Sequence, residues 1–100
     1  MITDKEYLMC AAIHVKDGKE HPHQPINIVS GFVVCGRRHH NCLTTLTLID
    51  PKLHMKATYG FLTSENRFVN RAEARSIAIE CGQYTHETTL PNELFSEDVW

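Results

Sequence analysis

One hundred residues, 42% of them hydrophobic and 22% charged with a net charge of −2, describe one ordinary globular domain spanning 1–100. The near-neutral balance excludes a coat for a nucleic-acid polymer, which would need a strongly basic chain. No apolar run reaches the length that spans a bilayer, so no membrane partner is expected.

The opening MITDKEYLMCAAI lacks the charged-then-apolar layout of a secretory leader. A cytoplasmic protein is therefore expected, with Cys10, Cys35, Cys42 and Cys81 as reduced thiols. Three of the four lie in apolar runs and read as small core residues.

Residues 7–15, YLMCAAIHV, are apolar with a β-branched end and read as a first strand. Asp17-Gly18 is a hairpin-type turn signal. Residues 20–27, EHPHQPIN, carry Pro22 and Pro25 and read as a loop or irregular edge. Residues 28–35, IVSGFVVC, are apolar on both faces, as a central strand would be. Residues 41–49, NCLTTLTLI, are ambiguous. Their threonines favour a strand, whereas Cys42, Leu46 and Ile49 fall at i, i+4, i+7 behind a possible Asn41 cap. The helix is the reading adopted, ended by Asp50-Pro51. Residues 52–56 read as a connector, and 57–63, ATYGFLT, as a third main strand.

The stretch 60–82, GFLTSENRFVNRAEARSIAIECG, is the most explicit in the chain. Residues 64–67 have turn composition, and a short strand follows. Asn70 can cap a helix by accepting from the Glu73 amide while the Glu73 side chain reaches back. Ala74, Ile77, Ala78 and Cys81 make one apolar stripe, and Gly82 follows as a left-handed stop. Residues 83–93 are polar and read as an irregular tail. Residues 94–100, LFSEDVW, are too apolar for open water and are expected to dock on this subunit or a partner. The fold class that results is α+β: an antiparallel sheet of three to five strands with two helices, in a chain short enough to gain from oligomerisation.

Two loops carry the candidate chemistry. Arg37 and Arg38 follow Gly36 at a strand end, and Arg67, Phe68 and Arg71 surround the start of a helix. Helix N-termini present N–H groups and a positive dipole end, guanidinium groups fork onto phosphate, and an aromatic face stacks a base. The alternative leaves Phe61 and Phe68 in the core, Asn70 as a cap only, and Arg37 and Arg38 in a solvated turn. A metal reading would use Cys35, His39, His40 and Cys42, with His21 and His23 in reserve, but that spacing matches no standard zinc clip. An enzyme would have to use His14, His39 or His40 as base and Cys42 as nucleophile, without any recognisable catalytic signature. No catalytic residue, metal or cofactor is therefore assigned.

GFVVCGRRHHNC, GFLTSENRFVNRAEARSIAIECGQ and LFSEDVW together resemble a group of small phage and prophage proteins. Its pattern is a G-R-H element, a G-F-x-T-S-x-x-R-F-V-x-R-x-E-A element and a closing L-F-S-E-D motif, matched here from about Gly31 to Trp100. That group is similar to the phage sponge proteins that counter Thoeris defence. These bind a cyclic ADP-ribose signal made by TIR-domain enzymes and hold it uncleaved in oligomers with composite pockets. The resemblance implies a non-catalytic sponge in the host cytoplasm, a cyclic nucleotide as ligand, and a dimer or larger homo-oligomer. It implies that Arg37 or Arg38 meets phosphate, that Phe61 packs on adenine, and that Asn70 and Arg71 contact the ribose or phosphate side. His39, Thr63, Ser64 and Arg67 belong to the same elements and complete the implied ligand set. The doubled His39-His40 departs from the pattern. A protein–protein inhibitor of a host factor and a small metal-assisted hydrolase are the rival readings.

Overall fold

The computed structural model describes residues 5–83. The tail expected over 83–93 lies outside the described residues from 84 onward, as does the docking segment 94–100, so the closing motif is not placed.

The described chain builds four strands and two helices: β1 (Leu8–Val15), β2 (Phe32–Gly36), α1 (His39–Ile49), β3 (Ala57–Thr63), β4 (Phe68–Asn70) and α2 (Arg71–Cys81), with a 3₁₀ turn over Pro51–Lys56. The sheet is antiparallel throughout, in the order β2-β1-β3-β4. This is the α+β class expected, and residues 41–49 are helical.

Both helices lie on one face. Cys42 and Leu46 of α1 pack on Ala11, Ile13, Val15 and Val34, while Ala74 and Ala78 of α2 pack on Leu8, Phe61 and Val69. Side chains two apart along a strand share a face, so Tyr59 and Phe61 of β3 point to the same layer. Each helix covers one of them: Tyr59 borders the α1 cluster and Phe61 sits in the α2 cluster.

The register fixes where the helices begin. β2 ends at Gly36, opposite Ala11, and Ala11 pairs with Phe61 on its other side. β4 ends at Asn70, opposite Gly60. The two helices therefore start one row apart at the middle of the sheet. α1 then runs back along β1 toward Val15, and α2 runs the other way toward Leu8.

The strand expected over 28–35 is a correction. It begins at Phe32, and it is an edge strand, not a central one. Gly31 holds φ at +82°, and a Cβ there would lie 2.3 Å from the Val15 carbonyl oxygen. The chain turns sharply at that point and enters the ladder only at Val15 opposite Phe32. Val29 is left outside the sheet and 84% exposed. The apolar character on both faces arises because the 20–31 segment crosses the back of the sheet. There His14 Nε2 donates to the Ser30 carbonyl at 2.9 Å, and the Ile26 amide donates to Asn66 at 2.8 Å.

Three amide side chains occupy ladder positions that no strand reaches. The Val33 amide donates to Gln24, Asn27 pairs with both backbone groups of Phe68, and Gln83 pairs with both backbone groups of Leu8. Each satisfies edge groups that would otherwise invite another chain.

Among the cysteines only Cys42 is buried, Cys35 is exposed, and all four are free thiols. The reading of three core cysteines is corrected accordingly: Cys35 alternates with the buried Val34 and so points away from the helices, on an edge strand where it stays at the surface. No helix among the described residues is long and apolar enough to cross a membrane.

Candidate functional site

The start of α2 forms as its sequence predicts. Asn70 is extended (φ −74°, ψ 176°), its Oδ1 accepts from the Glu73 amide at 2.8 Å, and Glu73 Oε1 accepts from the Asn70 amide at 3.1 Å. Arg71 is the first helical residue, and its guanidinium lies 5.2 Å from the Tyr59 ring centre. That distance is within cation–π range.

The start of α1 differs from expectation. Arg38, not Asn41, is the N-cap, and it supplies no side-chain cap. Asn41 instead reaches back to accept from the Arg38 amide at 3.1 Å. The helix thus gains a turn, and its first residue is His39. The His39 ring is buried and stands 5.5 Å from Tyr59 and 5.2 Å edge-on from Phe61. Its Nε2 donates to the Gly60 carbonyl at 2.7 Å.

Tyr59 thus touches His39, at a ring tilt of 39°, and Arg71, and so links the two helix starts. A cleft of about 410 Å³ lies on one side, lined by Tyr59, Asn70, Arg71 and Ala72. A second, of about 370 Å³, is lined by Arg37, Arg38, His40 and Asn41. Both hollows sit at the positive end of a helix dipole and carry guanidinium groups. Each offers neutralising charge, and the first adds an aromatic wall, Tyr59.

A family description, Phage T4 y16D protein, matches residues 7–100. The chain belongs to the phage T4 y16D family. No curated protein and no solved structure matches it.

Four residues expected at the ligand lie elsewhere in this y16D-family fold. Phe61 is 0% exposed, enclosed by His39 and the α2 cluster, so no face of its ring is open for stacking. Thr63 and Ser64 lie three and four residues beyond Gly60 along β3 and its turn, and Arg67 lies opposite Thr63, three residues before Asn70, a strand distance of about 10 Å from the helix starts. Their polar groups hold the N-terminal approach to β1. Arg67 donates to Glu6 through Nε at 2.9 Å and Nη2 at 2.5 Å, and Thr63 Oγ1 donates to Glu6 at 2.5 Å. Ser64 Oγ accepts the Tyr7 amide at 3.0 Å. The hydrogen bond from Arg67, outweighing burial, holds the Glu6 carboxyl below its usual range, and Glu6 in turn raises Arg67.

Tyr59 is the site residue that sequence reasoning missed. Its signal was the alternation along β3, which puts it beside Phe61 on the helix-facing side. Glu6 was missed because its partner is 61 residues away.

Among the described residues no three His, Cys, Asp or Glu side chains gather where a metal ion could be held. His39 and Cys42 are engaged with the sheet instead, Cys42 through its thiol to the Ala11 carbonyl at 3.5 Å.

Proposed function

We propose that this phage-family protein is a non-catalytic sponge, one that binds and sequesters a small cyclic nucleotide signal of the cyclic ADP-ribose type. The reading makes it a phage anti-defence protein acting in the host cytoplasm against TIR-domain (Thoeris) signalling. The observation that carries it is the linking of the two helix N-termini through the His39–Tyr59 and Tyr59–Arg71 contacts, with Arg71 lining the cleft at one start and Arg37 and Arg38 the cleft at the other. A pyrophosphate-bridged ring asks for charge at two points and a flat apolar wall between. Tyr59, which lines the first cleft, supplies the aromatic wall in place of Phe61.

Charge-assisted contacts contribute about 1.5–3 kcal/mol each and one stacked base about 1–3 kcal/mol. Two or three such contacts with one stack offset the association cost of a rigid ligand. Each cleft is within the volume range of small-ligand sites but open on one side, so a second copy closes it in this reading. The active form is then a dimer or larger homo-oligomer. Sequestration requires no base, nucleophile or metal.

Calorimetry of the purified protein against cyclic ADP-ribose isomers and cyclic oligonucleotides tests the proposal. Saturable heat with one of them and recovery of the ligand intact after heating support it. No heat at concentrations well above micromolar, or a cleaved product, counts against it.

A protein–protein inhibitor is the second reading. Its support is the exposure of Leu48 (84%), Ile49 (57%) and Met55 (81%) at the far end of α1 and the turn after it. Loss of a host-factor interaction on changing Leu48 and Met55 to serine, with ligand binding absent throughout, would favour it over the sponge.

A further inference from the structure

Cys10 and Cys35 stand apart from the helix side of the sheet and from the proposed ligand site. Ala12 pairs with Cys35 and Ala11 with Gly36, so Cys10 is the diagonal neighbour of Cys35 across β1 and β2. Cys10 alternates with Ala11, which faces the helices, and so points to the opposite face with Cys35. Cys35 is exposed and Cys10 half-buried, and the two thiols influence each other's ionisation, Cys35 lowering Cys10 and Cys10 raising Cys35. The backbone is irregular beside both cysteines: the pairing of β1 with β3 shifts register between Leu8 and Cys10, and β2 ends at Gly36, one residue past Cys35. Small backbone movement can therefore close a diagonal spacing that is otherwise slightly long for a disulfide.

We infer that Cys10 and Cys35 form a thiol–disulfide exchange site for small-molecule disulfides, with Cys10 attacking and Cys35 resolving. The Cys10 thiolate forms a bond to one sulfur of the incoming disulfide, whose S–S bond breaks and releases one thiolate. The Cys35 thiol then loses its proton and attacks the Cys10 sulfur, releasing the second thiolate. Both released thiolates take up protons from solvent or from the cysteines. Two protein thiols are oxidised to one Cys10–Cys35 disulfide, and one small disulfide is reduced to two thiols.

The neighbouring Cys35 thiol, opposed by burial and aided by the Gly36 backbone, lowers the Cys10 pKa to about 7, while Cys35 is pushed up by Cys10 in turn. At pH 7 about half of Cys10 is then thiolate, against about 3% of an ordinary thiol of pKa ~8.5. The weaker nucleophilicity of a low-pKa thiolate takes back about fivefold, which leaves a net gain of about threefold. Cys42, buried and pushed up to about 11, is inert by comparison.

The test is incubation of the folded protein with glutathione disulfide, followed by intact mass and peptide mapping. The wild type is expected to lose two hydrogens and yield a Cys10–Cys35 cross-linked peptide. Cys35→Ser is expected to keep one glutathione on Cys10, and Cys10→Ser to react at Cys35 about threefold more slowly or worse. Circular dichroism of both variants checks that they remain folded. Glutathione accumulating first on Cys81 or Cys35, a cross-link between other cysteines, or a stable Cys10 adduct in the wild type overturns the inference.

Discussion

Replacing Glu6 by glutamine separates a structural role for Arg67 from a ligand-binding one. Glu6 accepts three hydrogen bonds, two from Arg67 and one from Thr63, and its side chain is only 13% exposed. Hydrogen bonds to charged groups are worth about 1.5–3 kcal/mol each when well buried. Arg67 is 37% exposed, and an isosteric amide still accepts from one donor, so the expected loss is about 1–2 kcal/mol at pH 7. The folded-state pKa of Glu6 lies below its unfolded value, so this stabilisation is fully present above the unfolded pKa and disappears as pH falls through the folded one. Urea denaturation of wild type and Glu6→Gln at a series of pH values reads it directly. The gap between the two midpoints should be widest above about pH 5 and shrink in more acidic buffer. An equal stability at neutral pH, or a gap independent of pH, would refute the structural assignment and return Arg67 to the pool of ligand cations.

Further outcomes follow from the same geometry. Gly60→Ala places a Cβ 2.1 Å from the Val69 carbonyl oxygen and 2.7 Å from Phe68 Cζ, so thermal melts should show a loss of about 3 kcal/mol or more, with β4 parted from β3. Asn70→Ala removes the α2 cap and should lower stability by about 1 kcal/mol in the same assay. Arg71→Ala and Tyr59→Leu should each weaken calorimetrically measured ligand binding by about tenfold, one charge-assisted or stacking contact's worth, with a far smaller change in Tm.

The legibility of the fold followed the range of the signals. α2 was readable whole because its cap, stripe and glycine stop are all within thirteen residues of one another. β2 was misplaced because its position depends on the long 20–31 segment covering the back of the sheet, which no local pattern reveals. α1 began early because Arg38 can start a helix without a capping side chain when Asn41 reaches back.

The candidate site divides the same way. Arg37, Arg38, Asn70 and Arg71 were legible as groups beside helix starts. Tyr59 and Phe61 share a face, and only the placement of the helices decides which is covered. The α2 alanines enclose Phe61, whereas the gap between the two helix starts leaves Tyr59 half-buried at the rim. Arg67 looked free because the carboxylate that engages it comes from the far end of the chain.

The most direct test is a nitrogen–proton NMR titration with cyclic ADP-ribose, following backbone amides at both helix starts. If the two starts form one anion site, the amides of residues 39–42 and 71–74 will shift together along a single saturation curve. Shifts confined to one start, or two curves with separate midpoints, would show that the clefts do not act as one site.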